Sequence, residues 1–548
     1  MANSFTIGQS ALNAAQAAIN TAGQNIANSS APGYSRQTVV QTAAMPAAGS
    51  SYGYSGQGTQ ITQIQRVYSQ FLADQTHTNE AANSQLQTQY QQIQQLDNLL
   101  ADPNAGISAA MQSFFDDLQT VSIDPNDVNS REILLMSAKN LVSRFNSFQT
   151  KLDEISQNLN QQMASGVQTV NDLAKQVAGL NKAINTAQAS SNGKPANDLL
   201  DKRDQLITEL SRQVKVSVLQ QDQQYTVLLN NGQPLVAGDQ VYGLKLMSST
   251  TDATDWQVGY PASAQQASVL SANDLMGGSL SGLLAFRAET LNPFKNSLVK
   301  IALGFAETVN QSNQAGYTIN GQTGSALFTI PEVKIKAAAT NSGGATVNAS
   351  LIDSGQLTNS DYKLQKIADE YRFIRAADNN LLISSADFAE VQSIAANQGL
   401  AINLAADMNN GDQFLIQPTF DAAGTLKLAN IQANDFAVSN RPYTANNANT
   451  LLMAGLQSQK TLDGGTNSFQ DAYTQLVSQI AGKTHELEVT SSFHANMLAE
   501  SQTAVDSVSG VNLDEEAANL LRYQQAYQSA GKLIQISQQL FESLLQIN

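Results

Sequence analysis

The sequence has no cysteine, few charged residues and three histidines, and each shortage removes a class of function. Without cysteine the chain can form no disulfide, thiolate metal site or cysteine nucleophile. Charged residues make up 14% of the 548 residues, against about a quarter in an average soluble protein. Their balance is acidic, with a formal net charge of −16, which disfavours nucleic acid or an anionic membrane as a partner.

The sequence also lacks long apolar runs. No run of roughly 18 apolar residues, the length needed to cross a bilayer, occurs anywhere. A cleaved secretory signal needs a basic start followed by an apolar core. The first 30 residues are uncharged, and Asn or Gln interrupts each of their apolar runs. If the chain leaves the cell, we expect a route without a cleaved signal.

The few groups that could perform chemistry are scattered. His485 and His494 are nine residues apart on a helical segment, which puts them on opposite sides of a helix with a 3.6-residue period, and His77 is distant in sequence. Adjacent acids such as Glu515 and Glu516 point in different directions on a helix, and negative charge is favourable in a helix's first turn. We therefore expect no catalytic, cofactor-binding or metal-binding residues, and no enzymatic activity.

The two chain ends carry almost no charge. Arg36 and Arg66 are the only charged side chains before Asp74, and the last 26 residues contain only Lys532 and Glu542. A solvated surface helix normally carries charged residues on its outer face. We expect the ends to pack against copies of the same subunit instead.

Helical periodicity dominates both ends. The first stripe repeats at intervals of three and four residues: Leu12, Ala15, Ile19, Ala22 and Ile26. The last helix repeats in the same way: Tyr523, Ala526, Ala530, Leu533, Ser537, Leu540, Leu544 and Ile547. Pro32-Gly33 ends the first helix, and Gly33 suits the positive-φ position of a turn. Residues 37–65 are uncharged and rich in Gly, Ser and Thr, which predicts extended or loop structure.

Two helices are predicted before the middle of the chain. One runs from about residue 66 to 100, ended by Pro103 and Gly106. The other runs from a cap at Asn129, with Glu132 three residues later, to about residue 184. Its apolar residues repeat every three or four positions, with one extra step of four, as in a coiled coil with a stutter.

The middle of the chain changes to strand character. Residues 212–262 alternate with a period of two, and Asn231-Gly232 predicts a hairpin turn. A helical pattern returns over 280–312, with Pro293 beginning a second stretch, and residues 320–445 read as a β-rich insert. From about 449 the pattern is helical to the end.

We therefore predict a multidomain α+β fold, in which N- and C-terminal helices pair in a coiled-coil or helical-bundle rod and β-rich domains are inserted in the middle. The predicted domains are a terminal helical domain of 1–36 and 510–548, a helical rod domain of 37–211, 277–319 and 449–509, a small β subdomain of 212–276 and a β-rich outer domain of 320–448.

The terminal helices are predicted to be marginal alone. Burying the eight large apolar groups of the last helix would contribute roughly 12–24 kcal/mol. Ordering its 30 or so residues costs on the order of 30–60 kcal/mol of backbone entropy, only partly offset by helical hydrogen bonds. We expect both ends to be mobile in the monomer and to order against neighbouring subunits.

The turn after the first helix resembles a known family signature. The segment NIANSSAPGYSR, residues 25–36, follows the helix SALNAAQAAINTAGQNIAN. This is similar to the N-terminal signature of flagellar axial proteins, whose rod and hook members usually end the turn with a Gly-Phe-Lys type. The GYSR ending favours the hook-associated protein 1 family, although Ala31 stands where Thr is common.

Three more stretches agree with this resemblance. They are NDLLDKRDQLITEL at 197–210, GGSLSGLLAFRAETL at 277–291, and SGVNLDEEAANLLRYQQAYQSAGKLIQISQQLFESLL at 509–545. The resemblance is weak across 330–445, where family members vary. It covers both ends and most helical regions, and the combination is more specific than any one stretch.

The resemblance implies a structural subunit that joins the flagellar hook to the filament. It implies an extracellular location, reached through flagellar type III export. The implied partners are copies of the chain in a ring, the hook subunit, a second junction protein and a cytosolic export chaperone that covers the C-terminal helix. An apolar helix exposed in a monomer is an aggregation hazard, which fits the need for such a cover.

Together with the apolar stripes, the resemblance assigns assembly contacts to one set of terminal residues. They are Leu12, Ile19, Ile26, Asn28, Pro32, Gly33, Tyr34, Arg36, Leu520, Tyr523, Tyr527, Leu533, Ile534, Leu540, Phe541 and Leu544.

Two other functions remain open at this point. Another axial subunit, such as the hook protein, would share the terminal helices, but the GYSR turn and the long helix over 134–184 argue against it. A secreted coiled-coil adhesin with a β head would show no pairing of N- and C-terminal helices. A cell-wall hydrolase would need a constellation of acids that the sequence does not contain.

Overall fold

The computed structural model describes residues 2–45, 47–50, 53–101, 106–221, 224–249, 255–261, 267–444 and 446–545. The α-helices in these ranges are α1 Ala2–Asn28, α2 Gln70–Ala101, α3 Ile107–Ile123, α4 Val128–Ser190, α5 Asn197–Gln213, α6 Ala272–Leu275, α7 Gly278–Phe286, α8 Asn292–Ala315, α9 Phe388–Ala396, α10 Ala422–Thr425, α11 Ala448–Gly455, α12 Phe469–Ser509 and α13 Leu513–Leu545. A π-helical turn, Arg287–Leu291, joins α7 to α8 just before Pro293.

The strands lie in two regions, after α1 and in the middle of the chain. They are β1 Gln37–Ala43, β2 Ala47–Ser50, β3 Gly53–Ser55, β4 Thr59–Arg66, β5 Val216–Gln221, β6 Gln224–Leu229, β7 Pro234–Ala237, β8 Gln240–Val241, β9 Lys245–Ser248, β10 Trp256–Pro261, β11 Ala267–Val269, β12 Phe328–Thr329, β13 Lys334–Ala337, β14 Val347–Leu351, β15 Tyr362–Ile367, β16 Glu370–Arg375, β17 Asn380–Ser385, β18 Leu400–Leu404, β19 Gln413–Gln417 and β20 Lys427–Leu428. Helices at both ends and strands between them confirm the predicted α+β fold class.

Helix α4 is the main helix of the rod, and other helices pack against it. Its 63 residues span about 95 Å at 1.5 Å per residue. The face it buries matches the predicted three-and-four spacing, and α3 and α5 pack along it. Its large buried apolar residues are Leu134, Leu141, Val142, Phe145, Phe148, Leu152, Ile155, Leu159, Met163, Val167, Val170, Leu173, Val177 and Ile184.

The predicted cap of α4 is wrong by two residues. Asn129 lies inside the helix, and the cap is Asp127, whose carboxylate accepts hydrogen bonds from the backbone N–H of Asn129 and of Ser130, both at 3.1 Å. The capping carboxylate must reach free N–H groups of the first turn. Asp127, which follows the turn Asp124-Pro125-Asn126, is already in that position.

A second layer consists of the pair α2 and α12, with α7 against α2. Gly282 of α7 lies so close to α2 that an added Cβ would stand 2.6 Å from the carbonyl oxygen of Gln85. The helical pattern predicted from 449 onwards is interrupted between α11 and α12 and again between α12 and α13. The prediction missed the break between α11 and α12, and it did not assign α3, but it began a separate last helix near Glu515 and Glu516.

A cluster of aromatic rings joins the helices to the start of the outer domain. The ring of Phe305 on α8 lies 5.2 Å from that of Phe114 on α3 and 5.6 Å from those of Phe328 on β12 and Phe469 on α12. These four side chains are almost fully buried. Edge-to-face pairs of this kind add to the stabilisation from apolar burial.

The small β subdomain is a meander on the rod. Its four-stranded sheet has the order β5-β6-β7-β8, beside a three-stranded sheet β11-β10-β9. The predicted turn at Asn231-Gly232 is confirmed, with Gly232 at φ 82°. The buried amide of Asn181 on α4 donates to the carbonyl oxygens of Tyr225 at 3.0 Å and Gly238 at 2.7 Å, which fixes the sheet on the rod.

The outer domain is built on a five-stranded antiparallel sheet with the order β13-β19-β15-β16-β17. Helix α9 and the β14–β18 ladder lie beside it. Tyr362 and Phe373 stack across β15 and β16 with ring centroids 5.0 Å apart. The predicted β-rich insert is confirmed in this region.

Candidate assembly surface at the paired chain ends

The two chain ends lie side by side as an antiparallel pair of helices, α1 and α13. The buried residues of the two helices are mostly small. On α1 they are Gly8, Ala14, Ala15, Ala18, Thr21, Ala22 and Asn25. On α13, Ala530 and Ser537 are buried, and an added Cβ on Gly8 would lie 2.7 Å from Cγ1 of Ile534. The predicted pairing of the terminal helices is therefore confirmed.

The predicted stripe of α1 is only partly the buried one. Ala15 and Ala22 are buried, whereas Leu12, Ile19 and Ile26 are half-buried. The heptad spacing included these large residues, whereas the fully buried residues of α1 are mostly alanine.

The predicted residues of α13 fall on two faces. Leu520, Tyr523, Tyr527 and Ile534 are half-buried, whereas Leu533, Leu540 and Phe541 are exposed, and the side chain of Leu544 lies outside the described part.

Several large apolar side chains are exposed on α13, among exposed glutamines. We call four of them the outer stripe: Leu521, Ile536, Leu540 and Phe541, which are 61%, 53%, 56% and 55% exposed. The prediction missed Leu521 and Ile536, because the heptad count followed the face towards α1. Lys532 is the only charged residue between Arg522 and Glu542 on this helix. The stripe is therefore available to neighbouring molecules.

The turn after α1 brings the predicted residues 28–36 against the body of the protein. Asn28 is half-buried, Pro32 and Gly33 are exposed, and Gly33 has φ 76°, as predicted for this turn. The hydroxyl of Tyr34 donates to Oδ1 of Asn25 at 2.9 Å. Burial, followed by the carboxylates near it, raises the pKa of Tyr34 to about 12, so the phenol keeps its proton.

Asn25 is the centre of this junction, and its amide is fully hydrogen-bonded. Nδ2 donates to the carbonyl oxygen of Gln37 at 2.9 Å and to Oε2 of Glu516 at 3.1 Å. Oδ1 accepts from the Tyr34 hydroxyl and from the backbone N–H of Gln37 at 3.0 Å. Asn25 and Glu516 are both buried. A buried amide with all its partners strongly prefers one arrangement.

Arg36 connects the two chain ends. Its Nε donates to Oε1 of Glu516 at 2.8 Å, and Nη2 donates to Oε1 of Glu515 at 2.7 Å. Its backbone N–H donates to the carbonyl oxygen of Ser509, just before α13. Although burial opposes its charge, the two glutamates raise the pKa of Arg36. Both acids lie in the first turn of α13 as expected, and here they also hold the turn after α1.

Helix α5 anchors this junction to the rod. Asp201 accepts from the backbone N–H of Ser35 at 3.0 Å and from Nη1 of Arg66 at 2.9 Å, and Asp204 accepts from the same Nη1 at 2.6 Å. Burial raises the pKa of Asp204, although Arg66 lowers it. These contacts join residues far apart in sequence, and the sequence pattern gave no signal for them.

The hairpin formed by β1 and β4 lies along α1. The backbone N–H of Thr59 donates to Oγ of Ser10 at 3.3 Å. Gly58, with φ 89°, touches Ser10 so closely that a Cβ there would overlap its hydroxyl. The extended structure predicted for 37–65 is thus confirmed at β1 and β4, which form a strand pair packed against α1.

The histidines do not come together. His77 is buried on α2, whereas His485 and His494 lie on α12, and Nδ1 of His485 is 3.4 Å from Oε2 of Glu488. In the described ranges, no three His, Cys, Asp or Glu side chains are placed to hold a metal ion. In those same ranges, no helix is long and apolar enough to cross a membrane.

Comparison with known proteins identifies the family. The model of the FlgK helical domain of flagellar hook-associated protein matches residues 93–328, and that of a D2-like domain of flagellar hook-associated protein 1 matches 336–418. Models of a flagella basal body rod protein and of the FlgEFG rod protein C-terminus match 5–34 and 502–547. The chain is 33% identical over 548 residues to flagellar hook-associated protein 1 of Salmonella typhimurium, covering 98% of both chains. It belongs to the flagellar hook-associated protein 1 family.

Other members of the hook-associated protein 1 family are similar over nearly the same length. The Escherichia coli protein is 31% identical over 541 residues, covering 98% of both chains, and the Bacillus subtilis protein is 24% identical over 552 residues, covering 98% of this chain and 96% of that one. The solved structure of the flagellar hook junction protein FlgK from Burkholderia pseudomallei superposes with a TM-score of 0.71 at 24% identity, covering 80% of this chain and 100% of that one. This likeness shows a shared fold.

The rod-protein models match the two segments that pair in the structure, α1 and α13. This chain therefore has ends similar to those of flagellar rod proteins, around a middle region that matches hook-associated protein models. The paired ends are the candidate site, because they combine an apolar outer stripe with a shortage of charge.

Proposed function

We propose that this chain is a structural subunit of the bacterial flagellum that joins the hook to the filament and polymerises through its terminal helices. The observation that carries this proposal is the outer stripe, a set of exposed apolar residues on α13. This helix is paired with α1, and the chain belongs to the hook-associated protein 1 family. The name of the Burkholderia relative, a hook junction protein, supports the same position for this chain.

Covering the outer stripe would contribute to assembly. Full burial of a large apolar side chain stabilises by about 1.5–3 kcal/mol. The four residues of the stripe are each a little over half exposed, so covering them contributes on the order of 3–6 kcal/mol per copy. Association costs on the order of 4–15 kcal/mol in lost freedom of motion, so other contacts between subunits would have to add to this one.

The proposed arrangement places residues 1–36 and 510–548 in the inner tube and the β-rich regions outside it. The rod of α2–α5, α7, α8 and α12 connects the two. The predicted assembly residues on α1 and α13 then contact neighbouring copies, the hook subunit and the second junction protein. The domain boundaries predicted from the sequence stay part of this proposal.

Export completes the proposal. The chain would leave the cell through the flagellar type III route, with a cytosolic chaperone covering α13 before secretion. The support is the outer stripe, which would otherwise face water in the monomer. The chain would act as a structural part and not as an enzyme, in keeping with relatives named as flagellar hook-associated proteins.

The competing functions fit the structure less well. An adhesin with a coiled-coil stalk predicts unpaired chain ends, and α1 and α13 are paired. A hook-type subunit would share that pairing. The middle region of this chain matches hook-associated protein models, which argues against a hook-type subunit.

The test is a strain that lacks this chain. We expect hooks to form and flagellin to be shed into the medium as monomer. Complementation with the full chain should restore filaments, whereas chains lacking residues 1–36 or 515–548 should not, although their central body stays folded. Full filaments in the deletion strain would contradict the proposal.

A further inference from the structure

The fully buried residues of α1 and α13 are mostly small. Ala14, Ala15, Ala18 and Ala22 are buried on α1, and Ala530 and Ser537 are buried on α13. Helix pairs obtain their register from large side chains that fill matching gaps, or from a buried polar group that tolerates only one partner. Small side chains such as these provide little of either. If α13 moved along α1 by one turn, one small residue would take the place of another.

Two contacts at opposite ends of the pair do distinguish one register from another. At the body end, the saturated amide of Asn25 donates to Glu516, and Glu516 also accepts from Arg36. At the far end, the side chain of Ile534 fills the gap at Gly8, where an added Cβ would lie 2.7 Å from it. A slide of one turn, about 5.4 Å, would separate both contacts.

We propose that Glu516 and Asn25 set the register of α13 on α1, with the gap at Gly8 as a second determinant. They are positioning residues: they fix which residues of α13 the pair presents, including the outer stripe. The consequence for assembly rests on the proposed function, but the register itself does not. A single buried polar residue has this effect on register in coiled coils.

The chain offers a matched control beside Glu516. Glu515 also pairs with Arg36, at 2.7 Å, but its side chain is 55% exposed, whereas that of Glu516 is 4% exposed. In Glu516→Gln, one carboxylate oxygen becomes an NH2 group that faces the donor of either Asn25 or Arg36. In Glu515→Gln the new NH2 group can turn to solvent. The two variants carry the same charge change, so charge alone cannot explain a difference between them.

The register can be read by disulfide trapping in the full-length chain, which has no cysteine of its own. Three reporters carry Gly8→Cys with Ile534→Cys, Gln538→Cys or Tyr527→Cys, and the last two also carry Ile534→Ala. All three lose the Gly8–Ile534 contact, so their register depends on the junction at Glu516. Disulfides need Cα atoms within about 7 Å, and trapping captures a pair of helices that forms only transiently.

We expect the 8–534 disulfide to exceed the two displaced ones by roughly tenfold or more, because hydrogen bonds to a buried charge are strong. Glu516→Gln should bring the three yields close to equality, and Glu515→Gln should leave the preference unchanged. The proposal is overturned if Glu516→Gln keeps the preference, if Glu515→Gln removes it equally, or if Glu516→Gln lowers all three yields together. If the 8–534 disulfide does not form in the reporter that keeps Glu515 and Glu516, the register itself is refuted.

A second experiment uses the far end of the pair in living cells. Gly8→Ala should raise the flagellin shed into the medium several-fold, and adding Ile534→Ala should return it towards the parent level by making room for the new methyl group. If this rescue fails while the disulfide yields are those expected above, the register is as proposed but does not control assembly. If the deletion strain grows full filaments, the proposed function fails, but the trapping result still decides the register.

Discussion

The rod and the terminal pair are both helical, but they differ in what holds them together. The rod buries large rings, such as Phe114, Phe145 and Phe305, which are almost fully enclosed. The terminal pair buries mainly alanine, and its large apolar residues are half-buried or exposed. Burial of one methylene contributes about 0.8 kcal/mol, several times less than a ring. The rod therefore carries its own stability, whereas the ends depend on what covers them.

Amide hydrogen exchange should show this difference most strongly. In the dilute monomer we expect amides of α4 and α8 to be protected by the global free energy of unfolding, about 5–15 kcal/mol. Amides of α1 and α13 should show little protection, and they should gain it in assembled flagella. Strong protection of both ends in the monomer would show that the pair is stable alone.

Removing a ring from the rod should be the next largest effect. Phe305→Ala should lower the free energy of unfolding by about 3–5 kcal/mol, because the cavity lies among four other rings. The measurement is urea unfolding followed by circular dichroism. Ala18→Gly in the terminal pair is the comparison, and we expect it to leave the rod's transition unchanged. Equal shifts from both variants would contradict the independence of the two regions.

Acid should weaken the rod through His77. Burial lowers the pKa of His77 to about 4, although Asp74 raises it, against about 6.5 in an unfolded chain. The unfolded state then binds the proton first as the pH falls from 6.5 to 4. The folded state loses on the order of 3 kcal/mol across that window, and the loss is complete below pH 4.

The variant His77→Gln should remove that part of the pH dependence. Other carboxylates also titrate near pH 4, so the quantity to compare is the difference in unfolding free energy between pH 6.5 and 4 for variant and parent. His485→Gln, which changes an exposed histidine, is the control and should behave as the parent does. An unchanged slope in His77→Gln would show that this histidine is protonated without loss of stability.

The sequence predicted the parts of the fold that local periodicity determines. The apolar residues of α4 from Leu134 to Ile184 repeat every three or four positions, and all the predicted ones except Leu180 are buried. The hairpin at Asn231-Gly232 followed from the positive φ that such a turn needs. In each case one short segment contains the whole signal.

What the sequence did not reveal depends on contacts between distant segments. Asn25 meets Glu516, and Ser35 meets Asp201, only after the chain ends and α5 have come together. The outer stripe was predicted only in part, because a heptad count cannot tell which of two apolar faces of α13 turns towards α1. Leu540 and Phe541 were included, whereas Leu521 and Ile536 were not.

The substitution Leu540→Asp should abolish assembly, although it should have the smallest effect on monomer stability. Leu540→Asp places a charge in the outer stripe, where the leucine is 56% exposed. Surface substitutions usually change the free energy of unfolding by less than about 0.5 kcal/mol, so we expect the monomer to unfold as the parent does. In an assembly the same carboxylate would be buried without a partner, which is strongly unfavourable, so flagellin should be shed as in the deletion strain.

Leu219→Asp is the matched control for Leu540→Asp. Leu219 lies on β5 in the small β subdomain and is 57% exposed, so the two substitutions remove equal apolar area and add the same charge. If assembly runs through the terminal helices, Leu219→Asp should keep its filaments. Loss of filaments in both variants, with both monomers folded, would place part of the interface on the β subdomain. Filaments in both would mean that neighbouring subunits do not cover Leu540 and that the pair contacts them through another face.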